Sequence, residues 1–290
     1  MKNRSSLLFA GLVVLLIAFS VQAQDKLNAE EIIAKHLDSI GTKEKRAGIN
    51  NQLAVGVSDF AVIRGVKSAV MGRAVIVSEN KKLFFGVNFN SPNYPFEKVS
   101  FDGDKVNIAF ITPGLRSALG NFLLNHGYIF SDGLFGGSLT SSWSLLDVAG
   151  RQGKVNFGGK KKIEGKEAYV LEYSPKRGSD ASIKFFFDAQ TFRHIRSEYR
   201  QNYSAAQGVQ STNERGRLVD NSARQRESRH VLTEDFSSFS EENGLTLPHK
   251  YRIHLLLDGT ETNEFEWKFE FSNFLFNQKL DVKSFDINAE

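Results

Sequence analysis

The chain has 290 residues, 37 Lys+Arg against 33 Asp+Glu for a formal net charge of +4, and 41% hydrophobic residues. That balance provides no electrostatic footprint for nucleic acid. The count of zero cysteines excludes disulfides, thiol nucleophiles and thiolate metal sites, and a chain of this length can bury enough apolar surface without cross-links, as one large β domain or two average ones.

Leu7–Phe19 is an unbroken apolar run behind Lys2 and Arg4, followed by the small-residue pattern Val21-Gln22-Ala23. The run is too short for a membrane-spanning helix, which takes roughly 20 residues. It predicts a secretory signal over residues 1–23, cleaved after Ala23. Gln24 stands where a lipoprotein would carry its lipidated cysteine, so the expected mature chain, 24–290, is exported without a lipid anchor.

A helix is predicted next. Asn28 can cap it, Glu31 completes a capping box, and Gly41 is its stop. Ile32, Ile33, His36, Leu37 and Ile40 share one stripe at helical spacing. His36 reads as a histidine at the edge of the core, not as a ligand.

From residue 51 onward the period changes to that of strands, over 51–63, 67–78, 82–90, 94–101, 104–111, 155–162, 166–174, 181–188, 192–203, 229–239, 247–257 and 262–276. Asp102-Gly103 and Asp258-Gly259 are favoured hairpin pairs. In the last run Phe265, Trp267, Phe269 and Phe271 alternate with Glu264, Glu266, Lys268 and Glu270, which predicts one buried and one wet face. The fold class expected is α+β and mainly antiparallel β. Eleven or twelve strands form a strongly curled sheet or unclosed β-barrel, because an open sheet of that size tends to curl or split.

The concave side needs filling. One source is the N-terminal helix; the other is the strand-poor interval 112–150. There a helix is predicted after Thr112-Pro113-Gly114, with Leu115, Leu119, Phe122 and Leu123 on one face, and a second short helix around Leu139–Val148. Between them Gly127–Gly137 sets large apolar groups among glycines. This interval reads either as a core plug or as a movable lid over an apolar cavity. Residues 204–228 have hardly any large apolar residue and are expected to form a mobile loop, whose arginines could meet anionic lipid headgroups or a partner protein.

A search for chemistry returns absences. The six histidines form no HExxH motif, Gly136-Gly137-Ser138-Leu139-Thr140 lacks the last glycine of a nucleophile elbow, and there is no phosphate-cradling loop. Asp102-Gly103-Asp104 reads as a hairpin turn, since the twelve-residue calcium loop is missing. No catalytic residue, metal or cofactor is expected, and the chain does not read as an enzyme.

Phe101-Asp102-Gly103-Asp104-Lys105-Val106, Ala168-Tyr169-Val170-Leu171-Glu172-Tyr173-Ser174-Pro175-Lys176 and Ile183–Arg196 are similar to the hairpin and strand-end patterns of the bacterial lipoprotein-sorting superfamily of LolA and LolB. The order of elements, from signal through helix, sheet and mid-chain helices to more sheet, resembles that superfamily as well. The resemblance spans roughly residues 25–287 and marks the chain as a divergent member. It implies a single unclosed β-barrel domain over 24–290 with helices as its lid, soluble in the periplasm of a Gram-negative-type bacterium and holding acyl chains in an apolar cavity. The partners it implies are lipid acyl chains, a lipidated protein or an envelope protein. No nucleic acid is expected, and with the membrane peripheral contact at most.

Composition supports an apolar site on physical grounds: Phe occurs 25 times and Met twice, and a concavity of rigid apolar groups binds acyl chains by area removed from water. The candidate cavity and lid residues are Leu119, Phe122, Phe130, Phe135 and Trp143 from the mid-chain interval, and Phe185, Phe187, Phe265, Trp267 and Phe269 from the strands. The other reading of the same composition is a filled barrel that acts as a non-enzymatic envelope interaction or scaffolding domain.

Overall fold

The computed structural model describes residues 27–204, 211–212, 218–219 and 227–288. The expected signal segment 1–23 lies outside the described residues, as does most of the 204–228 loop. Within that loop β10 (Ser211–Thr212) and β11 (Leu218–Val219) pair as a small antiparallel ladder of their own. No helix of the described residues is long and apolar enough to cross a membrane.

Helix α1 spans Ala29–Ile40 and starts as its sequence requires: Asn28 accepts from the Glu31 N–H, and the Glu31 side chain accepts from the Asn28 N–H. Its buried stripe is Ala29, Ile32, His36 and Ile40. The short helix α2 (Lys43–Ala47) follows. From α2 the Arg46 guanidinium reaches back to the carbonyl of Gly41 and to that of Leu37, which the Gly41 N–H also reaches.

Every predicted strand is present. They are β1 (Asn51–Arg64), β2 (Ala69–Glu79), β3 (Lys82–Asn88), β4 (Phe96–Phe101), β5 (Val106–Ile108), β6 (Lys154–Ile163), β7 (Lys166–Ser174), β8 (Ser182–Asp188), β9 (His194–Tyr203), β12 (Ser228–Glu242), β13 (Leu245–Asp258) and β14 (Thr262–Phe276). All twelve join one sheet in the order β5-β4-β3-β2-β1-β14-β13-β12-β9-β8-β7-β6, with every pairing antiparallel and no closure between the β5 and β6 edges. Strand β5 is shorter than the predicted 104–111. The Asp102 carboxylate takes the N–H groups of Asp104 and Lys105 at 2.9 and 2.8 Å, which holds the start of that run in a turn.

Pairing of β1 with β14 puts the first and last strands side by side in the middle of the sheet. The ladder shifts register at Val55/Gly56, where a Cβ on Gly56 would stand 2.0 Å from the Glu270 carbonyl oxygen. Only glycine allows the two backbones to approach so closely at this bulge, and bulges add to the bend of a sheet.

Because β5 and β6 are the two sheet edges, the chain from 109 to 153 has to cross from one edge to the other. It carries α3 (Ala118–Asn125), α4 (Tyr128–Ser131), single 3-10 turns at Gly137–Leu139 and Ser144–Leu146, and α5 (Val148–Arg151). Leu115, expected on a helical face, precedes α3 and is exposed. Ser117 takes over the start of that helix by accepting from the Gly120 N–H at 2.7 Å. The helix predicted around Leu139–Val148 breaks into two turns and α5. Gly136 and Gly137 hold φ of +78° and +49°, outside the helical region, and Thr140 and Ser141 spend their hydroxyls on Gly137 O and Ser78.

Candidate functional site

The apolar faces of the strands and of the crossing segment meet in one cluster. Alternation places Leu83, Phe85, Val87 and Phe89 of β3, Ile183, Phe185 and Phe187 of β8, and Trp267, Phe269 and Phe271 of β14 inward. Phe135 of the crossing segment lies 5.1 Å from Phe85 on β3 and 6.1 Å from Tyr251 on β13, while Trp143 lies 4.9 Å from Phe185 on β8. In a flat sheet β3 and β8 would stand about 34 Å apart at ~4.8 Å per strand. Both reach a segment only nine residues long, so the sheet is curled around it.

Of the ten residues expected to line a cavity or form its lid, nine are fully buried in this cluster: Leu119, Phe122, Phe130, Phe135, Trp143, Phe185, Phe187, Trp267 and Phe269. Phe265 is half-buried at its margin. The structure thus brings all ten together, packed against one another. The opening beside Trp143, between α1, α2 and the two 3-10 turns, is a crevice of about 60 Å³. That is well below the roughly 300–1,000 Å³ of a pocket that encloses a ligand.

The crossing segment is also tied to the sheet by polar groups that are themselves buried. Glu234, on the inward face of β12, accepts from the Gly136 N–H at 2.7 Å, from Tyr251 Oη at 2.5 Å and from Tyr199 Oη at 2.8 Å. Leu134 O lies 2.9 Å from the same Tyr199 hydroxyl, so its single proton is shared between that carbonyl and the carboxylate. Burial pushes the Glu234 carboxyl up to about 7, against the three donors that favour its charged form. Next to it the Tyr199 and Tyr251 hydroxyls are raised, by burial first and by the carboxylate second.

Glu97 of β4 makes a second such node. It accepts from Tyr94 Oη at 2.6 Å and from Ser117 Oγ, and Tyr94 Oη in turn accepts from Trp267 Nε1 at 3.0 Å. Burial raises this carboxyl to about 7 also. A third tie joins Trp143 Nε1 to His36 Nε2 at 3.1 Å, with His36 Nδ1 facing Phe192 O at 3.1 Å. The His36 Nε2 therefore accepts, Nδ1 carries the proton, and burial holds the ring neutral with its pKa lowered to about 3. Fourth, Ser141 N–H donates to Ser78 Oγ at 2.8 Å, and the two hydroxyl oxygens are 3.0 Å apart.

None of the groups in these ties was singled out from the sequence as holding the segment, although a signal existed for two of them. Glu234 is in phase with the buried Leu232 and Phe236, and Glu97 with Val99 and Phe101, so each is a carboxylate on the apolar side of its strand. His36, read from its stripe as a core-edge histidine, and Ser78 gave no sign of the tie itself, because their partners lie 107 and 63 residues away.

The chemistry of these groups is that of fastening. His194 and Ser197 stand 3.2 Å apart, but His194 Nε2 also faces Arg196 O at 2.9 Å. A carbonyl only accepts, so that nitrogen carries the proton and cannot take one from the serine. Among the described residues no group of three or more His, Cys, Asp or Glu could hold a metal ion. On the outer face a groove of about 410 Å³ is lined by Glu164, Asp235, Arg252 and Lys268. Its charges answer one another: Asp235 binds Arg196 at 2.5 Å and Arg252 at 2.8 Å, and Lys268 binds Glu266 at 2.8 Å.

No family model and no curated protein matches the chain. Among solved structures it is similar to a LolA superfamily protein from Nitrosomonas europaea, at 13% identity and TM-score 0.46 over 89% of this chain and 97% of that one. It is also similar to an outer membrane lipoprotein-sorting protein domain from Vibrio parahaemolyticus, at 12% identity and TM-score 0.45 over the same shares, 89% and 97%. A DUF1329 family protein from Desulfovibrio piger aligns at 13% identity and TM-score 0.44, again over 89% and 97%.

Proposed function

We propose that this protein is an exported, periplasmic carrier that holds an acyl chain, of a free lipid or of a lipidated protein, in the concavity of its sheet, with part of the crossing segment as the lid. The observation that carries this reading is how the concave face is closed. Among the described residues no second sheet covers it. A strand-free segment does, jointed at glycines with φ of +65° (Gly133), +78° (Gly136) and +49° (Gly137) and fastened by a few hydrogen bonds to the sheet and to α1.

Magnitudes limit how much of that segment moves. Over 109–153 ten large apolar side chains are fully buried, and half of them, Leu134, Phe135, Leu139, Trp143 and Leu145, lie within 133–147. At ~1.5–3 kcal/mol each, exposing these five costs about 7–15 kcal/mol, whereas an acyl chain of roughly 15 methylenes gains about 12 kcal/mol at ~0.8 kcal/mol each. One chain offsets the release of 133–147. It does not offset the release of all ten. The lid is therefore 133–147, and α3 stays docked on β4 and β5.

The Ser78–Ser141 contact supplies the test. The chain has no cysteine, so Ser78→Cys with Ser141→Cys places one thiol pair where the hydroxyls stand 3.0 Å apart, a separation that disulfide closure can use. Oxidised protein is expected to take up no fluorescent fatty acid, and reduced protein to take it up. Equal uptake in both states would remove the lid.

A second reading is favoured by the dense packing of the same residues: a filled barrel that acts as an envelope interaction domain. It predicts no uptake in either state, and no lipid by mass spectrometry after gentle purification of the native chain.

A further inference from the structure

The large apolar groups left in solvent concentrate at one end of the β1–β5 half of the sheet. The end of β1 and the turn after it expose Ile63 (47%) and Val66 (90%), with Met71 (74%) just inside β2; the loop after β5 exposes Phe110 (46%) and Leu115 (55%). Antiparallel pairing fixes their common position. The β1–β2 turn, the β3–β4 loop 89–95 and the loop 109–117 all follow strands that run to the same end. The three are neighbours: Phe60 near the end of β1 lies 4.8 Å from Tyr94, Ala109 N donates to Lys98 O at 3.0 Å, and Ser117 donates to Glu97.

Charge is sorted along the same axis. Arg64, Lys67, Arg73 and Arg116 belong to the apolar end, while residues 60–78, 80–96 and 105–131 contain no Asp or Glu. The acids of this half are Glu79, Asp102 and Asp104, in turns at the far end of the strands, Glu97, which is buried, and Asp59, exposed on β1. The Arg116 guanidinium lies 3.7 Å over the Phe110 ring, so a cation and an exposed aromatic share one spot. Asp59 on β1 stands opposite Met71 and marks the inner limit of the tract, and the β13–β14 turn with Asp258 and Glu261 bounds it on the β14 side.

We propose that this end docks on the surface of an anionic bilayer, with Val66, Phe110 and Leu115 entering the headgroup boundary while Arg64, Lys67 and Arg116 meet lipid phosphates. Protruding turns suit this occupant better than a protein partner. Tips insert among lipids without a complementary surface, whereas a stable protein interface needs about 800 Å² of fitted area on each side. Positive charge beside the apolar tips adds attraction that only an anionic surface returns. The docking holds whether or not the lid opens.

The test is co-sedimentation of the full chain with vesicles of phosphatidylglycerol mixed with phosphatidylcholine, against vesicles of phosphatidylcholine alone. Binding is expected with phosphatidylglycerol, weaker by on the order of tenfold at high salt. The double variant Val66→Asp/Leu115→Asp is expected to lose tenfold or more, and its unchanged near-UV circular dichroism would show that it is folded. Val57→Asp, on a side chain 51% exposed in the body of β1, is expected to keep binding. Absence of binding to either vesicle, equal binding to both, or full binding by the double variant overturns the proposal.

Discussion

Glu234 and His36 are buried groups whose charge states pull stability in opposite directions with pH. The Glu234 carboxyl sits at about 7 in the folded chain against an ordinary 4.5. Between those values the folded state binds more protons than the unfolded one, so the stabilisation is complete below about 4.5 and is lost as pH rises through about 7. Glu97 behaves alike. His36 is lowered from 6.5 to about 3, so its contribution is complete above 6.5 and is lost as pH falls towards 3. His194, lowered by burial and by His36, adds to that acid limb. Urea unfolding followed against pH is expected to show a plateau between these limits, falling away on both sides. Glu234→Gln matches the protonated carboxyl in shape and is expected to flatten the alkaline limb, by on the order of 3 kcal/mol between pH 5 and 8. Glu234→Ala leaves the Gly136 N–H and the Tyr251 hydroxyl without an acceptor and is expected to cost about 2–6 kcal/mol at any pH.

Elements obeyed local rules where the rules are local. The capping box of α1 and the alternation of β14 follow from neighbours three or two residues apart, and both were legible in the sequence. The helix expected near Leu139–Val148 was not formed: Thr140 and Trp143 leave the helical backbone on either side of Ser141, which is tied to Ser78, and positive φ at Gly136 and Gly137 just before it answers to a distant requirement. A Cβ on Gly137 would stand 2.6 Å from His194 Nδ1, on a strand more than fifty residues away. Gly137→Ala therefore meets both a steric clash and a backbone penalty, and a loss of about 2–4 kcal/mol is expected in urea unfolding. The same spacing argument explains which parts of the site could be read. A carboxylate in phase with apolar neighbours, as Glu234 and Glu97 are, is visible in a strand of five residues. The Trp143–His36 and Ser141–Ser78 ties are visible only after folding.

At the scale of the molecule, the crossing from the β5 edge to the β6 edge divides the core into a hydrogen-bonded sheet and a loosely jointed cover. Native-state hydrogen exchange is expected to show the backbone of 133–147 opening at lower free energy than β1, β13 and β14, whose amides are locked in ladders on both sides. Equal protection across the cover and the central strands would mean a core that opens only as a whole.

By itself the sequence determined the strands, their turns, the first helix and the wet and dry faces, because each depends on a period of two or 3.6 residues along the chain. It also determined that the apolar faces must be covered. Only the tertiary structure decided how: β1 pairing with β14 made β5 and β6 the sheet edges, and that pairing forced residues 109–153 across the concave face. The expected cavity residues became the packing between sheet and cover, since curvature and register bring together side chains that no local pattern relates.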